Sequence, residues 1–263
     1  MKRLTLARPL FFLMGALLAP SLAAAPPLDP STLRDLPIQD GGRRKPFLAF
    51  AQEQARAING RLGAIKDGAD GSRTPALAAL VALWLDPADW EERRVILVDD
   101  VPLKRALGLP VGDRLFSAKD LVAKPDLIPL AQAAARAPGG KPTALQRAAR
   151  TVAERVMLLH ALKEGRSFAF APPADGQGGA WTAIEASGDE ALMSVRRQLA
   201  EAWRAGDQAA FDAAVRLLRE RVAARNPAAM PEDWRLRLEV VYLEGHPFRV
   251  AWICCALAAF ALG

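Results

Sequence analysis

The 263-residue chain carries 35 Lys plus Arg against 29 Asp plus Glu, a formal charge of +6, with 51% apolar residues and only two cysteines. That apolar content builds a hydrophobic core of ordinary size and excludes a disordered, charge-rich chain. Cys254 and Cys255 are adjacent, which excludes a disulfide framework, since such a framework needs cysteines spread through the domain.

The opening stretch "MKRLTLARPLFFLMGALLAPSLAAAPP" has the three parts of a secretory signal. Lys2, Arg3 and Arg8 make a positive start, Leu10 to Leu18 an apolar run, and Ser21 to Ala25 a small-residue exit. Residues 1–25 therefore read as a signal peptide or an uncleaved N-terminal anchor helix, and either one exports the rest of the chain. Without them three cations are lost, leaving 32 against 29 anions and a net +3. Such an excess, interleaved along Arg-rich helices, excludes a nucleic-acid surface, where cations concentrate on one face.

Residues 36–54, "LPIQDGGRRKPFLAFAQEQ", read as an exposed turn followed by a helix. Gly41 and Gly42 allow a turn that side chains would obstruct. Pro46 then starts a helix that packs inward through Phe47, Phe50 and Ala51. The turn has two readings, an anion cradle or a docking element in which Gln39 and Arg43 pin it to the domain or to a partner. Docking is the preferred one.

Apolar spacing predicts helices over 46–62 and 75–85, and "RRVILVDD" reads as a strand. Asp100 is placed to cap a short helix over Pro102 to Leu107, and Ser117 to open another. A further helix is predicted from Pro125 to Ala137. Thr143 and Gln146 form a capping box for a helix over 144–163, whose stripe is Leu145, Ala148, Val152, Val156 and Leu159. His160, beside that stripe, reads as packed or half-exposed in preference to functional. "SFAFAPPADGQGGAWTAIEA" reads as two short strands around a glycine-rich loop. Helices over 189–205 and 208–225 form an antiparallel pair, with Leu192, Val195, Leu199 and Trp203 facing Phe211, Leu217, Leu218 and Val222. Pro231, Glu232 and Asp233 open a last helix, running through Leu236 and Val240 toward a membrane.

The chain closes on "FRVAWICCALAAFALG", in which 13 residues from Ala251 to Gly263 are uncharged. As a helix they span about 20 Å against about 30 Å of hydrocarbon. They form either a transmembrane helix that stops early or the C-terminal helix of a soluble core. The first is preferred, which makes residues 246–263 the start of a transmembrane helix and the chain the front of a longer membrane protein. The expected fold is mainly α: an exported, periplasmic helical domain over 26–245 with a few short β-strands, between an N-terminal signal or anchor helix and a partial transmembrane helix.

Catalytic signatures are absent from the sequence: no CxxC, HExxH, GxSxG or phosphate-binding loop. Asp99 and Asp100 are neighbours at a strand end and point apart, poor geometry for paired-carboxylate chemistry.

"LPIQDGGRRKPFLAFAQE" resembles the opening of the exported domain in bacterial proteins of the system II cytochrome c assembly family. Leu36, Pro37, Gln39, Gly42, Arg43, Lys45, Pro46, Ala51 and Glu53 match its pattern, and Gln52 stands where the family has arginine. "WLDPADWEERRVILVDD" and "LGLPVGDRLFSAKDL" are similar to its next segments. "LEVVYLEGHPFRVAW" resembles the approach to its first core transmembrane helix, through Glu239, Tyr242, Pro247 and Phe248, with Leu243 in place of asparagine. The resemblance covers most of residues 34–255. It implies a role in cytochrome c maturation, as the scaffold beside a haem-handling membrane module, with apocytochrome c as client. The family's tryptophan-rich haem segment does not occur here, so haem belongs to the complete assembly protein. His246 is the one cofactor-binding candidate, against a bland reading as a linker residue. Gln39, Gly42, Arg43, Lys45, Pro46, Glu239, Tyr242 and Pro247 are the docking candidates. Tyr242 and Trp252 fit interfacial anchors, and Arg235 and Arg237 suit haem propionates or lipid phosphates equally. A membrane-tethered periplasmic adaptor unrelated to haem is the other function class.

Overall fold

The computed structural model describes residues 28–262 apart from Asp175, Gln177 and His246. The expected export leader and the candidate ligand His246 thus lie outside the described residues.

After a 3-10 turn at Pro30–Leu33, strands β1 (Pro37–Asp40) and β2 (Arg43–Pro46) pair antiparallel, with Pro37 opposite Pro46 and Asp40 opposite Arg43. Gly41 and Gly42 form the two-residue turn with φ of 57° and 78°. Positive φ at both central positions matches the twist of a tight hairpin and is cheap only for glycine. A Cβ at either would meet nothing within 4 Å, so backbone conformation, and not the crowding expected from the sequence, selects glycine here.

The hairpin delivers the chain directly into α1 (Phe47–Asn59), which buries Phe47, Phe50, Ala51, Ala55 and Ile58 and stops at Gly60 in a left-handed conformation. A second hairpin, β3 (Ala64–Lys66) with β4 (Arg73–Pro75), leads to α2 (Ala76–Leu85). Seven of its ten residues are buried, so this helix is apolar around most of its circumference. Then β5 (Ile96–Leu97) pairs with β6 (Leu115–Phe116), and α3 (Val101–Ala106) lies between them. The Asp100 carboxylate accepts from the Leu103 N–H at 2.7 Å, capping α3. Next come α4 (Ala118–Val122), α5 (Leu127–Ala135) and α6 (Ala144–Lys163). Ser117 caps α4, and the Thr143–Gln146 capping box opens α6 at the predicted residue. Helices α7 (Glu190–Ala205) and α8 (Gln208–Arg225) form the expected antiparallel pair, capped by Asp189 and Asp207. Last are α9 (Asp233–Gly245) and α10 (Pro247–Leu262).

The fold is mainly helical, with strands confined to three two-stranded antiparallel sheets among the described residues. Two expectations need correction. "RRVILVDD" yields a strand of two residues, and Val95, Ile96 and Val98 are apolar because they are core. The two strands expected around the glycine-rich loop reduce to one bridge, Ala171 to Thr182. On α8, Leu217 is half-buried and packed against the core as expected, and Ala214 and Val215 are buried as well. Among the described residues no helix is long and apolar enough to cross a membrane. The 16 residues of α10 reach about 24 Å.

Five rings hold the centre: Phe47 and Phe50 from α1, Trp84 from α2, and Phe168 and Phe170 from the segment after α6. Trp84 lies 4.8 Å from Phe170 and 5.6 Å from Phe168, centroid to centroid, and Phe47 meets Phe170 edge-on at 5.1 Å. All five are essentially inaccessible. A buried polar staple sits beside them: Asn59 donates to the carbonyls of Lys66 and Val95 and accepts from the Lys66 N–H, joining α1, β3 and the approach to β5.

Phe168→Ala removes a ring that touches four others and leaves a cavity. It is expected to lower unfolding free energy by about 3–5 kcal/mol in equilibrium denaturation. A loss below about 1 kcal/mol would mean that the cluster is not the core's centre.

Candidate functional site

The sequence places Arg43 at the start of β2 and Glu239 in the middle of α9. The fold brings them together: Arg43 Nη2 donates to Glu239 Oε1 at 2.5 Å, across 196 positions of sequence. This ion pair bridges the two walls of a groove of about 640 Å³. Ala49, Gln52 and Glu53 of α1, together with Leu62, line one wall. Trp234, Leu238 and Tyr242 of α9 line the other. Leu236 and Val240 are buried and hold α9 to the body, while the Arg34 guanidinium lies 3.7 Å from Glu244 at its far end.

One step behind the groove, Lys45 is buried with its ammonium on two carboxylates, 3.0 Å from Asp40 and 2.5 Å from Glu53. Burial opposes the charge on Lys45, but its hydrogen bonds to Glu53 and Asp40 and their negative charge together outweigh it. The Lys45 pKa is therefore raised above its ordinary value of 10.5. Glu53 links this cluster to the groove it lines. Gln52 is its neighbour, and its Oε1 is buried without a hydrogen-bond partner among the described residues. A buried acceptor left open costs free energy, so an N–H donor brought into the groove would relieve it.

The remaining docking candidates divide. Gln39 points away from the groove: its Oε1 accepts from the Trp181 N–H at 2.5 Å, and its own N–H donates to the Ala169 carbonyl at 3.1 Å. It pins the hairpin to the domain, one of the two roles expected for it. Gly42 makes the turn, and Pro46 ends β2 at the N-cap position of α1. Tyr242 is half-exposed on the groove wall. Pro247 opens α10. His246 is outside the described residues.

Elsewhere, His160 is half-exposed with Nδ1 3.6 Å from Glu91, and Lys163 pairs with the same carboxylate. Asp99 pairs with Arg114 at 2.7 Å while Asp100 caps α3, so the adjacent carboxylates have separate structural uses. Sequence reasoning did not find Leu62, Trp234 or Leu238. For the last two a signal existed, since Trp234, Leu238, Val241 and Tyr242 recur at helical spacing.

No protein-family model and no curated protein sequence matches the chain.

The groove lining offers a guanidinium pair, two carboxylates, an amide, two aromatic rings and aliphatic surface. None of its residues is an imidazole, thiolate or thioether, the usual axial ligands of haem iron besides a phenolate. Among the described residues no group of three or more His, Cys, Asp or Glu is placed to hold a metal ion. With opposite charges at its rim and apolar walls, the groove suits polypeptide docking.

The raised Lys45 pKa has a consequence for stability. The contribution of the Lys45 cluster is complete below pH 10.5 and is lost as pH rises through the higher folded-state value. Lys45→Met is therefore expected to be less stable than the parent at neutral pH, with the gap closing in denaturation curves above pH 10.5. A gap that stays constant through that range would contradict this.

Proposed function

We propose that this chain is the exported scaffold domain of a membrane-bound protein of cytochrome c maturation. It stands on the outer side of the inner membrane beside a haem-delivery module, with unfolded apocytochrome c as client. In this reading residues 1–25 export or anchor the chain, α10 begins the membrane part, and haem is handled by the rest of the assembly. The described residues act by docking and carry no catalytic role in it.

The observation that carries the reading is the Arg43–Glu239 pair. The two stretches that carry the resemblance, around residues 36–53 and 238–252, are far apart in sequence yet meet in one groove, to which the matching residues Arg43, Glu53, Glu239 and Tyr242 and the departures Gln52 and Leu243 all contribute. A core explains why apolar positions are kept together. It does not explain a half-exposed ion pair at the lip of a groove, since such pairs contribute little to folding. A docking surface does explain it. A second reading is a tethered adaptor with no part in haem attachment.

A strain lacking the gene, assayed by haem staining of covalent c-type cytochromes, separates the two. Loss of the stained bands supports the maturation role, and unchanged bands favour the adaptor. Arg43→Ala then tests docking: it is expected to change unfolding free energy by less than about 1 kcal/mol while reducing stained cytochrome. Unchanged maturation in that variant would remove the docking role from the groove.

A further inference from the structure

We propose that the pocket between the end of α1, β3 and the β5–β6 pair binds a phosphate group, carried by a small phosphate monoester or by a lipid headgroup. The pocket shares no lining residue with the docking groove and does not depend on the maturation role.

Its volume is about 370 Å³, room for a phosphate and a small organic group. Among the described residues, Arg61, Lys66 and Arg114 supply the cations of its lining and Asp99 the carboxylate. That carboxylate is already matched, since Arg114 donates to Asp99 Oδ1 from Nε at 2.8 Å and lies 2.7 Å from it through Nη2. Arg61 and Lys66 have no ion-pair partner among the described residues, and neither has Arg73. Lys66 and Arg73 are register partners in the β3–β4 hairpin, so their side chains leave the same face side by side. Like charges opposed across two strands destabilise the pair.

The other charges of this region are neutralised locally. Asp67 lies 3.2 Å from Arg93, Asp70 accepts from the Ser72 N–H at 2.8 Å, and Arg94 lies 2.6 Å from Asp113. Only at Arg61, Lys66 and Arg73 does the fold leave a repulsion, one that a bound dianion would relieve. A phosphate monoester, with a charge near −2 at neutral pH and three acceptor oxygens, suits guanidinium forks and an ammonium better than a singly charged carboxylate does.

The pocket is built rigidly, unlike three cations on an open surface. The Asn59 amide donates to the carbonyls of Lys66 and Val95 at 2.8 and 2.7 Å and accepts from the Lys66 N–H at 3.0 Å. Gly60 has φ of 75°, and a Cβ on it would come within 2.5 Å of Leu97 Cδ2, so the end of α1 lies directly against β5. Arg155 reaches from α6 to the carbonyls of Ala57 and Leu97, and the Val98 N–H donates to the Arg114 carbonyl at 2.8 Å. The backbone carrying Arg61, Lys66 and Arg114 is therefore fixed before a ligand arrives, which lowers the cost of binding.

The test uses the full chain in micelles of a neutral detergent, titrated calorimetrically at fixed ionic strength with inorganic phosphate, glycerol 3-phosphate, acetate and glycerol. Both phosphates are expected to bind saturably and about tenfold tighter than acetate, with no binding of glycerol. Lys66→Gln and Arg73→Gln are each expected to weaken phosphate binding about tenfold. Each is also expected to raise the unfolding midpoint without ligand, because it removes one of two opposed like charges; a purely structural role would lower that midpoint. Micelles containing phosphatidic acid separate the two sources. Loss of the glycerol 3-phosphate response there marks a lipid headgroup as the ligand, and an unchanged response marks a free ester. Phosphate binding no tighter than acetate, or variants that bind phosphate as the parent does, would overturn the site. Neither result bears on haem-stained cytochromes, so the site and the maturation role fail separately.

Discussion

The contact between Trp84 and the pair Phe168 and Phe170 is the constraint on which the rest of the structure depends. It joins α2 to a segment more than 80 residues later, and Phe47 and Phe50 close the cluster from α1. Aromatic rings bury large areas and prefer tilted or edge-on neighbours, so five of them in mutual contact fix both distance and angle between the elements that carry them. That cluster sets where α1 starts, and the start of α1 sets where the hairpin points. Phe47 donates its backbone N–H to the Leu36 carbonyl at 2.8 Å, so the ring that anchors the core also anchors the base of the hairpin.

The groove is a product of this placement. Gln39 fastens β1 to the backbone of Trp181, and Lys45 ties Asp40 and Glu53 together across the junction of hairpin and helix. With its base fixed on both sides, the hairpin presents Arg43 at a defined position. Helix α9 is held less firmly, through Leu236, Val240 and its ion pairs with Arg34 and Arg43. A rigid wall facing a lightly held one is a sensible arrangement for a docking surface. The scaffold reading draws on this asymmetry.

Much of the helical framework was legible because its signals are local. The capping box at Thr143 and Gln146, and the caps at Asp100, Ser117 and Asp207, each need only three or four neighbouring residues to be recognised. The hairpins were not legible. Strands of two to four residues are too short to show alternation, and the ends of β1 and β2 bury by position in the core and not by period. The groove was half legible: resemblance singled out Arg43 and Glu239 separately, but only the fold shows that they meet.

If the Arg43–Glu239 contact is what assembles the site, its two charges should be exchangeable. The direct measurement is haem-stained c-type cytochrome in strains carrying Arg43→Glu, Glu239→Arg and the combined swap in the full chain. Each single reversal places like charges face to face and is expected to lower the signal, and the swap is expected to restore most of it. A swap as defective as the single reversals, or single reversals without effect, would contradict the account.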